Sequence, residues 1–225
     1  MKYLKEVDST NEYLKRNPNE DFLIAEYQRE GKGRLGRSFY SPAQRGLYMS
    51  FSKEAKSDEP ATIIAALAVC KVFPELEIKW VNDLILNGKK AGGILCELVD
   101  DRFIIGIGLN LVGEDFPDFA DGRVKANEAT SLGLENINEA KLIELGNEIR
   151  NAYFEILNSC PNIIDEYSSK CSSIGCDIAV YDNYASQNYR LGHSLGIGEN
   201  GGLIVDFDGT IEVLNAGEIT IRNKD

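Results

Sequence analysis

The chain has 225 residues and a mass of 24.9 kDa, with 43% hydrophobic and 27% charged residues. That is the composition of an ordinary globular protein, long enough to bury roughly 70% of its unfolded surface without a disulfide or metal staple. Its 24 basic and 36 acidic residues give a net charge of −12, which argues against DNA or other nucleic-acid binding, since that needs an exposed basic surface.

No apolar run approaches the length of a membrane-spanning helix, and residues 1–17 lack the apolar core of a secretory signal. The five cysteines (Cys70, Cys96, Cys160, Cys171, Cys176) are odd in number and form no C-x-x-C pair. Reduced thiols in a cytoplasm are therefore expected. A single histidine, His193, argues against His-based zinc sites and Ser-His-Asp triads. It is expected in an exposed turn.

Ser9 and Glu12 have the spacing of a capping box opening a short helix to about Asn17. A strand over Phe22–Tyr27 follows, then a glycine-rich turn over Gly31–Gly36 and a strand over Gly46–Ser52. Ala61–Phe73, after Pro60, reads as a buried apolar helix. Leu76–Trp80, Leu84–Asn87, Gly92–Val99 and Phe103–Val112 read as consecutive strands, with turns at Asn87-Gly88 and Asp100-Asp101. The acidic stretch Glu114–Asp118 reads as a solvated loop. Helical periodicity returns over Asn138–Leu157, and Pro161 restarts a helix to about Cys171.

Beyond residue 173 the texture changes to five short β-prone runs: Ile178–Tyr181, Tyr189–Ile197, Leu203–Asp206, Ile211–Leu214 and Ile219–Arg222. These predict a small closed barrel, and hence two domains, 1–172 and 173–225. Strand runs with segregated helices in the larger part favour α+β over a doubly wound parallel sheet.

Three segments carry candidate chemistry. Between Arg29 and Arg45 lie five basic side chains and one acidic one, interleaved with Gly31, Gly33 and Gly36. Bare backbone and planar guanidinium groups suit a phosphate. The glycines also match G-x-G-x-x-G, but Pro42 and a strand follow where a dinucleotide fold needs a helix, so that reading is rejected.

In the second segment, Lys79 to Glu97, Lys90 precedes Gly92-Gly93, which either sets a cation to neutralise charge on a reacting group or makes Lys89-Lys90 a polar hairpin tip. In the third, Gly106 and Gly108 leave one strand face bare, either for a flat ligand whose nucleobase edge Asn110 could bond or for a crossing helix.

Together and in this order, the segments resemble the biotin protein ligases, from Ser9-Thr10-Asn11 to about Ile219. The resemblance implies an α+β catalytic domain related to class II aminoacyl-tRNA synthetases, followed by an SH3-like β-barrel. It implies two steps: biotin and Mg-ATP form biotinyl-5′-AMP, and biotin then passes to a lysine on the biotin carboxyl carrier protein of acetyl-CoA carboxylase. Mg²⁺ enters with ATP.

By position, Ser9, Thr10, Asn11 and Gln28 would meet the ureido end of biotin, and Gly31 and Lys32 would line its linker. Arg34 and Arg37 would clamp phosphates. Lys90 would contact the biotin carboxylate and α-phosphate, Gly93 would give the ligand room, and Asn110 would read adenine. Asn82 and Asp83 would lie near the phosphates and metal. Lys32 and Val81 depart from the usual arginine and proline.

Many relatives carry an N-terminal winged helix-turn-helix, and the eight residues before Ser9 are too few for one. No DNA or membrane partner is expected, and the oligomeric state, homodimer included, stays open. The rival readings are a lipoate or octanoate ligase and a non-catalytic sensor of biotin or its adenylate.

Overall fold

The computed structural model describes the chain except residues 58, 114, 118–127, 182–187, 216–219 and 224–225. Parts of the acidic 114–118 loop and of the last expected strand thus lie outside the described residues. Its elements are β1 (Lys2–Leu4), α1 (Thr10–Arg16), β2 (Phe22–Ala25), a 3-10 turn (Arg34–Gly36), β3 (Gly46–Glu54) and α2 (Ala61–Val72). Next come β4 (Glu77–Lys79), β5 (Asp83–Leu86), β6 (Lys89–Val99), β7 (Arg102–Asn110), α3 (Glu139–Ser159) and α4 (Ile163–Lys170). The last are β8 (Asp177–Tyr181), β9 (Arg190–Ile197), β10 (Leu203–Phe207), β11 (Thr210–Leu214) and β12 (Thr220–Asn223).

Seven strands form one mixed sheet in the order β1-β2-β3-β7-β6-β5-β4, with β1 and β2 parallel and the other pairs antiparallel. This is the α+β arrangement expected. The antiparallel β2–β3 pairing rules out a βαβ dinucleotide unit.

Strand alternation divides the residues between the two faces. Met49, Phe51, Ile105 and Ile107 join the large core with α2 and α3. Phe51 packs edge-on against Tyr153 at 5.1 Å. The opposite face carries Ser50, Gly106 and Gly108, and α1 covers part of it through a small cluster of Leu14, Leu23 and Ile104. One face is therefore sealed by hydrocarbon and the other is left for polar chemistry.

The hairpin between β5 and β6 turns at Asn87 and Gly88, both with positive φ (50° and 76°), as an Asn-Gly turn requires. Asn138 caps α3 by accepting from the Lys141 N–H at 3.0 Å. The expected capping box on α1 does not form, because the carboxylate of Glu12 is held by Lys15 and Lys32. The first-turn N–H of Thr10 is satisfied instead by Gln28 Oε1 at 2.8 Å.

The C-terminal strands form a separate sheet in the order β11-β10-β9-β8-β12. Among the described residues β11 and β12 stand at opposite edges and do not pair, so this sheet is open where a closed barrel was expected. His193 lies within β9, not in a turn, with Nδ1 2.8 Å from Asp177 Oδ1. The sheet is tied to the larger one at Trp80, whose backbone N–H donates to Ser173 Oγ and whose indole N–H donates to Gly201 O, both at 3.0 Å. All five cysteines are free thiols. Among the described residues no helix is long and apolar enough to cross a membrane.

Candidate active site

Two groups of side chains stand on the polar face in adjacent rows of the sheet. The first row runs through Ser50, Gly106 and Leu95, and the second through Tyr48, Gly108, Gly93 and Asp83. Rows two residues apart along a strand are separated by about 7 Å.

In the first group, α1 inserts Thr10 and Asn11 against Ser50 and Gln28. Thr10 Oγ1 is 3.1 Å from Gln28 Oε1, and Ser50 Oγ lies 2.7 Å from Thr10 Oγ1 and 2.6 Å from Asn11 Oδ1. Gln28 Nε2 donates to Ser41 Oγ at 2.9 Å, and Ser41 donates onward to Phe39 O, also at 2.9 Å. Asn11 Nδ2 donates to Leu95 O at 3.1 Å and Glu97 Oε2 at 2.8 Å. Ser9, Thr10, Asn11, Gln28, Ser41 and Ser50 are all buried.

Proton counting gives this cluster a chemical character. Gln28 Oε1 and Asn11 Oδ1 can only accept. Three oxygen–oxygen contacts (Gln28–Thr10, Thr10–Ser50 and Ser50–Asn11) therefore share the two hydroxyl protons of Thr10 and Ser50. One of the three contacts is left without a proton even with the Thr10 N–H supplying Gln28 Oε1, and this surplus of lone pairs suits a ligand that brings an N–H.

The second group surrounds Gly93. Lys90 Nζ is 2.5 Å from Asp83 Oδ1, and Arg34 donates to Asn82 Oδ1 at 3.1 Å. Asn82 is fixed in turn by its Nδ2–H bond to Ile94 O at 2.9 Å. Burial lowers the pKa of Arg34, while Asp83 acts to raise it and neighbouring Arg37 to lower it. Two cationic side chains and one carboxylate thus gather beside bare backbone, with Arg37 near enough to Arg34 to act on its charge, which suits an anionic ligand.

The glycines differ in what they accommodate. A Cβ on Gly106 would lie 2.2 Å from Asn11 Oδ1, and one on Gly108 would lie 2.5 Å from the Phe39 ring. The bare face expected to receive a flat ligand is therefore covered at these points by Asn11 and Phe39. A Cβ on Gly31 would strike Phe39 O at 2.4 Å and Ser41 Oγ at 2.5 Å. At Gly93 a Cβ would meet its nearest atoms at an ordinary 3.7 Å, so the packing of the chain does not itself demand glycine there.

Asn110 Nδ2 donates to Thr130 O at 3.0 Å, and the Thr130 N–H donates to Lys90 O at 2.9 Å. Residues 129–130 thereby join Asn110 to the Lys90 strand. Lys32 pairs with Glu12 at 3.0 Å. The turn bearing it is a small hairpin closed by Gly33 N–H to Arg37 O at 2.7 Å and Phe39 N–H to Gly31 O at 2.7 Å. Thr10, Asn11 and Gln28 thus meet in the first group and Arg34, Asn82, Asp83 and Lys90 in the second, while Asn110 is joined to Lys90 through Thr130 and Lys32 pairs with Glu12, a member of neither.

Sequence reasoning missed Ser41, Ser50, Glu97, Phe39 and Tyr167. The Tyr167 hydroxyl donates to Val81 O at 3.0 Å and steadies the segment carrying Asn82 and Asp83. Only Ser50 had a local signal, a small polar residue between the apolar Met49 and Phe51. Among the described residues no group of three or more His, Cys, Asp or Glu side chains is placed to hold a metal ion. A cleft of about 470 Å³ among α2, α3 and α4, lined by Cys70, Lys71, Cys160 and Lys170 among others, lies on the helical side of the sheet, away from both groups.

A family model described as the biotin/lipoate A/B protein ligase family matches residues 3–110. The bifunctional ligase/repressor BirA of Escherichia coli is 30% identical, over 96% of this chain and 72% of its own length. A biotin–[acetyl-CoA-carboxylase] ligase of Mycobacterium tuberculosis is 27% identical, over 88% of this chain and 77% of its own. Among solved structures, the biotin protein ligase from Aquifex aeolicus in complex with biotin and ATP matches with a TM-score of 0.81 and 26% identity, covering 99% of this chain and 98% of that one.

Proposed function

Because the chain belongs to the biotin/lipoate A/B protein ligase family, as a biotin–[acetyl-CoA-carboxylase] ligase, we propose that it adenylates biotin and transfers it to a lysine of a biotin carboxyl carrier domain. In the first step a biotin carboxylate oxygen bonds to the α-phosphorus of ATP and the α–β phosphoanhydride breaks, releasing pyrophosphate. In the second, the acceptor lysine amine bonds to the acyl carbon, loses a proton, and AMP leaves.

The observation that carries this reading is the convergence of Lys90, Arg34, Asn82 and Asp83 on Gly93, one row from a polar cluster that lacks a donor. Bringing a carboxylate onto a phosphate costs Coulomb energy, which fixed cations offset in the transition state. Lys90 takes that place, with Arg34 and Arg37 on the phosphates. Mg²⁺ comes bound to the ATP phosphates, and Asp83 is the carboxylate that would face it.

Thr10, Gln28, Ser9 and Asn11 read the ureido group, whose N–H suits the acceptor surplus. Gly31 and Lys32 line the linker, and Asn110 meets adenine. Lys32 keeps the charge of the usual arginine without its planar fork.

We read the five-stranded sheet as the SH3-like unit and divide the chain into 1–172 and 173–225. Five free thiols suit a cytoplasmic setting. The test is incubation with biotin, Mg-ATP and a purified carrier domain, followed by intact-mass measurement. One biotinyl group on the acceptor lysine supports the proposal. An unmodified acceptor alongside tightly bound biotin favours the sensor reading.

A further inference from the structure

Glu97 stands on β6 outside every role given above, yet it meets both the polar cluster and the glycine turn. Its Oε2 accepts from Asn11 Nδ2 at 2.8 Å, and its Oε1 pairs with Lys15 Nζ at 2.7 Å. Lys15 pairs also with Glu12 at 2.8 Å, and Glu12 with Lys32 at 3.0 Å. A line of alternating charges therefore runs from Asn11 to the turn bearing Lys32.

The two hydrogens of Asn11 Nδ2 point at Leu95 O and Glu97 Oε2. A backbone carbonyl and a carboxylate can only accept. A flipped amide would set Asn11 Oδ1 against both and forfeit two bonds, one of them charge-assisted. With the flip forbidden, Asn11 Oδ1 faces Ser50 and takes its proton. That leaves the Thr10–Ser50–Gln28 contacts short of a donor. Were the amide flipped, Asn11 Nδ2 would face Ser50, the Ser50 proton would turn to Thr10, and the deficit would be filled from within.

We propose that Glu97 is a positioning residue that locks the Asn11 amide, held in register by Lys15, and thereby keeps the polar cluster one donor short so that it binds a ligand bearing an N–H. The proposal rests on the biotin reading and specifies how the ureido end is selected.

The test is Glu97→Gln, which keeps shape but can donate. Biotin affinity is measured by calorimetry, and kcat and KM for ATP by adenylation kinetics. Loss of a charge-assisted orientation is expected to raise the biotin Kd by about tenfold or more. kcat at saturating biotin and KM for ATP should stay within about threefold, a split that general loosening of the fold would not produce. A biotin Kd within about twofold of wild type, or equal losses in all three quantities, overturns the role.

If Glu97→Gln does not fold, Lys15→Met removes the cation holding Glu97 Oε1. It should weaken biotin binding by about threefold without changing KM for ATP, and unchanged binding overturns the role equally. A wild-type chain that binds no biotin overturns the functional reading and this role with it. Wild type that binds biotin while the Glu97→Gln variant binds it equally overturns the role alone.

Discussion

Replacing Lys90 by alanine separates the chemistry of the site from its stability. The Lys90 and Asp83 side chains are 27% and 26% exposed, and ion pairs with access to solvent contribute about 0–1 kcal/mol. The backbone bond from Thr130 N–H to Lys90 O survives the truncation. A loss of that size shifts Tm by only about 2–4 °C in a chain of this length.

On the proposed mechanism the transition state is affected far more, because the ammonium is already held beside Gly93, where charge would develop. Removing one preorganised contact of this kind costs on the order of 10²–10³ in rate, or about 2.7–4 kcal/mol. The assay is single-turnover formation of biotinyl-5′-AMP by rapid quench at saturating biotin and ATP, with Tm measured by calorimetry on the same preparation. Adenylation within about threefold of wild type would refute the assignment. A rate loss matched by a large fall in Tm would show that Lys90 acts through the fold instead.

Further outcomes are expected elsewhere in the site. Gly106→Ala, whose Cβ would lie 2.2 Å from Asn11 Oδ1, should destabilise the fold by about 1–3 kcal/mol in denaturant titration and weaken biotin binding. Gly93→Ala, with 3.7 Å clearance, should keep wild-type stability and lose ligand affinity. Equal stability losses in the two would contradict the division between glycines needed by the chain and glycines needed by the ligand. Arg34→Ala should speed release of bound adenylate by roughly tenfold or more while biotin affinity changes little, as measured by stopped-flow dissociation.

Burial pushes the thiols of Cys70 and Cys96 up to about 12 from an ordinary 9.0. Both should therefore resist alkylation at pH 8 until the chain is unfolded. Because the folded-state values are raised, their contribution to stability is intact below pH 9 and is lost as pH rises towards 12. Rapid labelling of buried Cys70 or half-buried Cys96 in the native protein would contradict these shifts.

Elements defined by local chemistry were legible in the sequence. The Asn87-Gly88 turn, the periodic helix from about Asn138 and the apolar helix from Ala61 each depend on neighbours along the chain. Features set by distant residues were not. Glu12 had capping-box spacing, but Lys32 across the site and Lys15 one turn on claim its carboxylate. Gly106 and Gly108 were correctly singled out as a bare face, yet its occupants, Asn11 and Phe39, come from segments far away in sequence. Tyr167 reaches Val81 across 86 positions, and no local pattern could have indicated it. The edges of the C-terminal sheet were likewise invisible, since short alternating strands look alike in a closed barrel and an open sheet.

The most direct test of the central claim is ATP–pyrophosphate exchange with Mg²⁺, run in parallel with biotin, lipoate and octanoate and without any acceptor. Exchange that depends on biotin alone is the predicted result. Exchange driven by lipoate or octanoate would contradict the assignment of the polar cluster to a ureido group, and tight biotin binding with no exchange would contradict catalysis at Lys90.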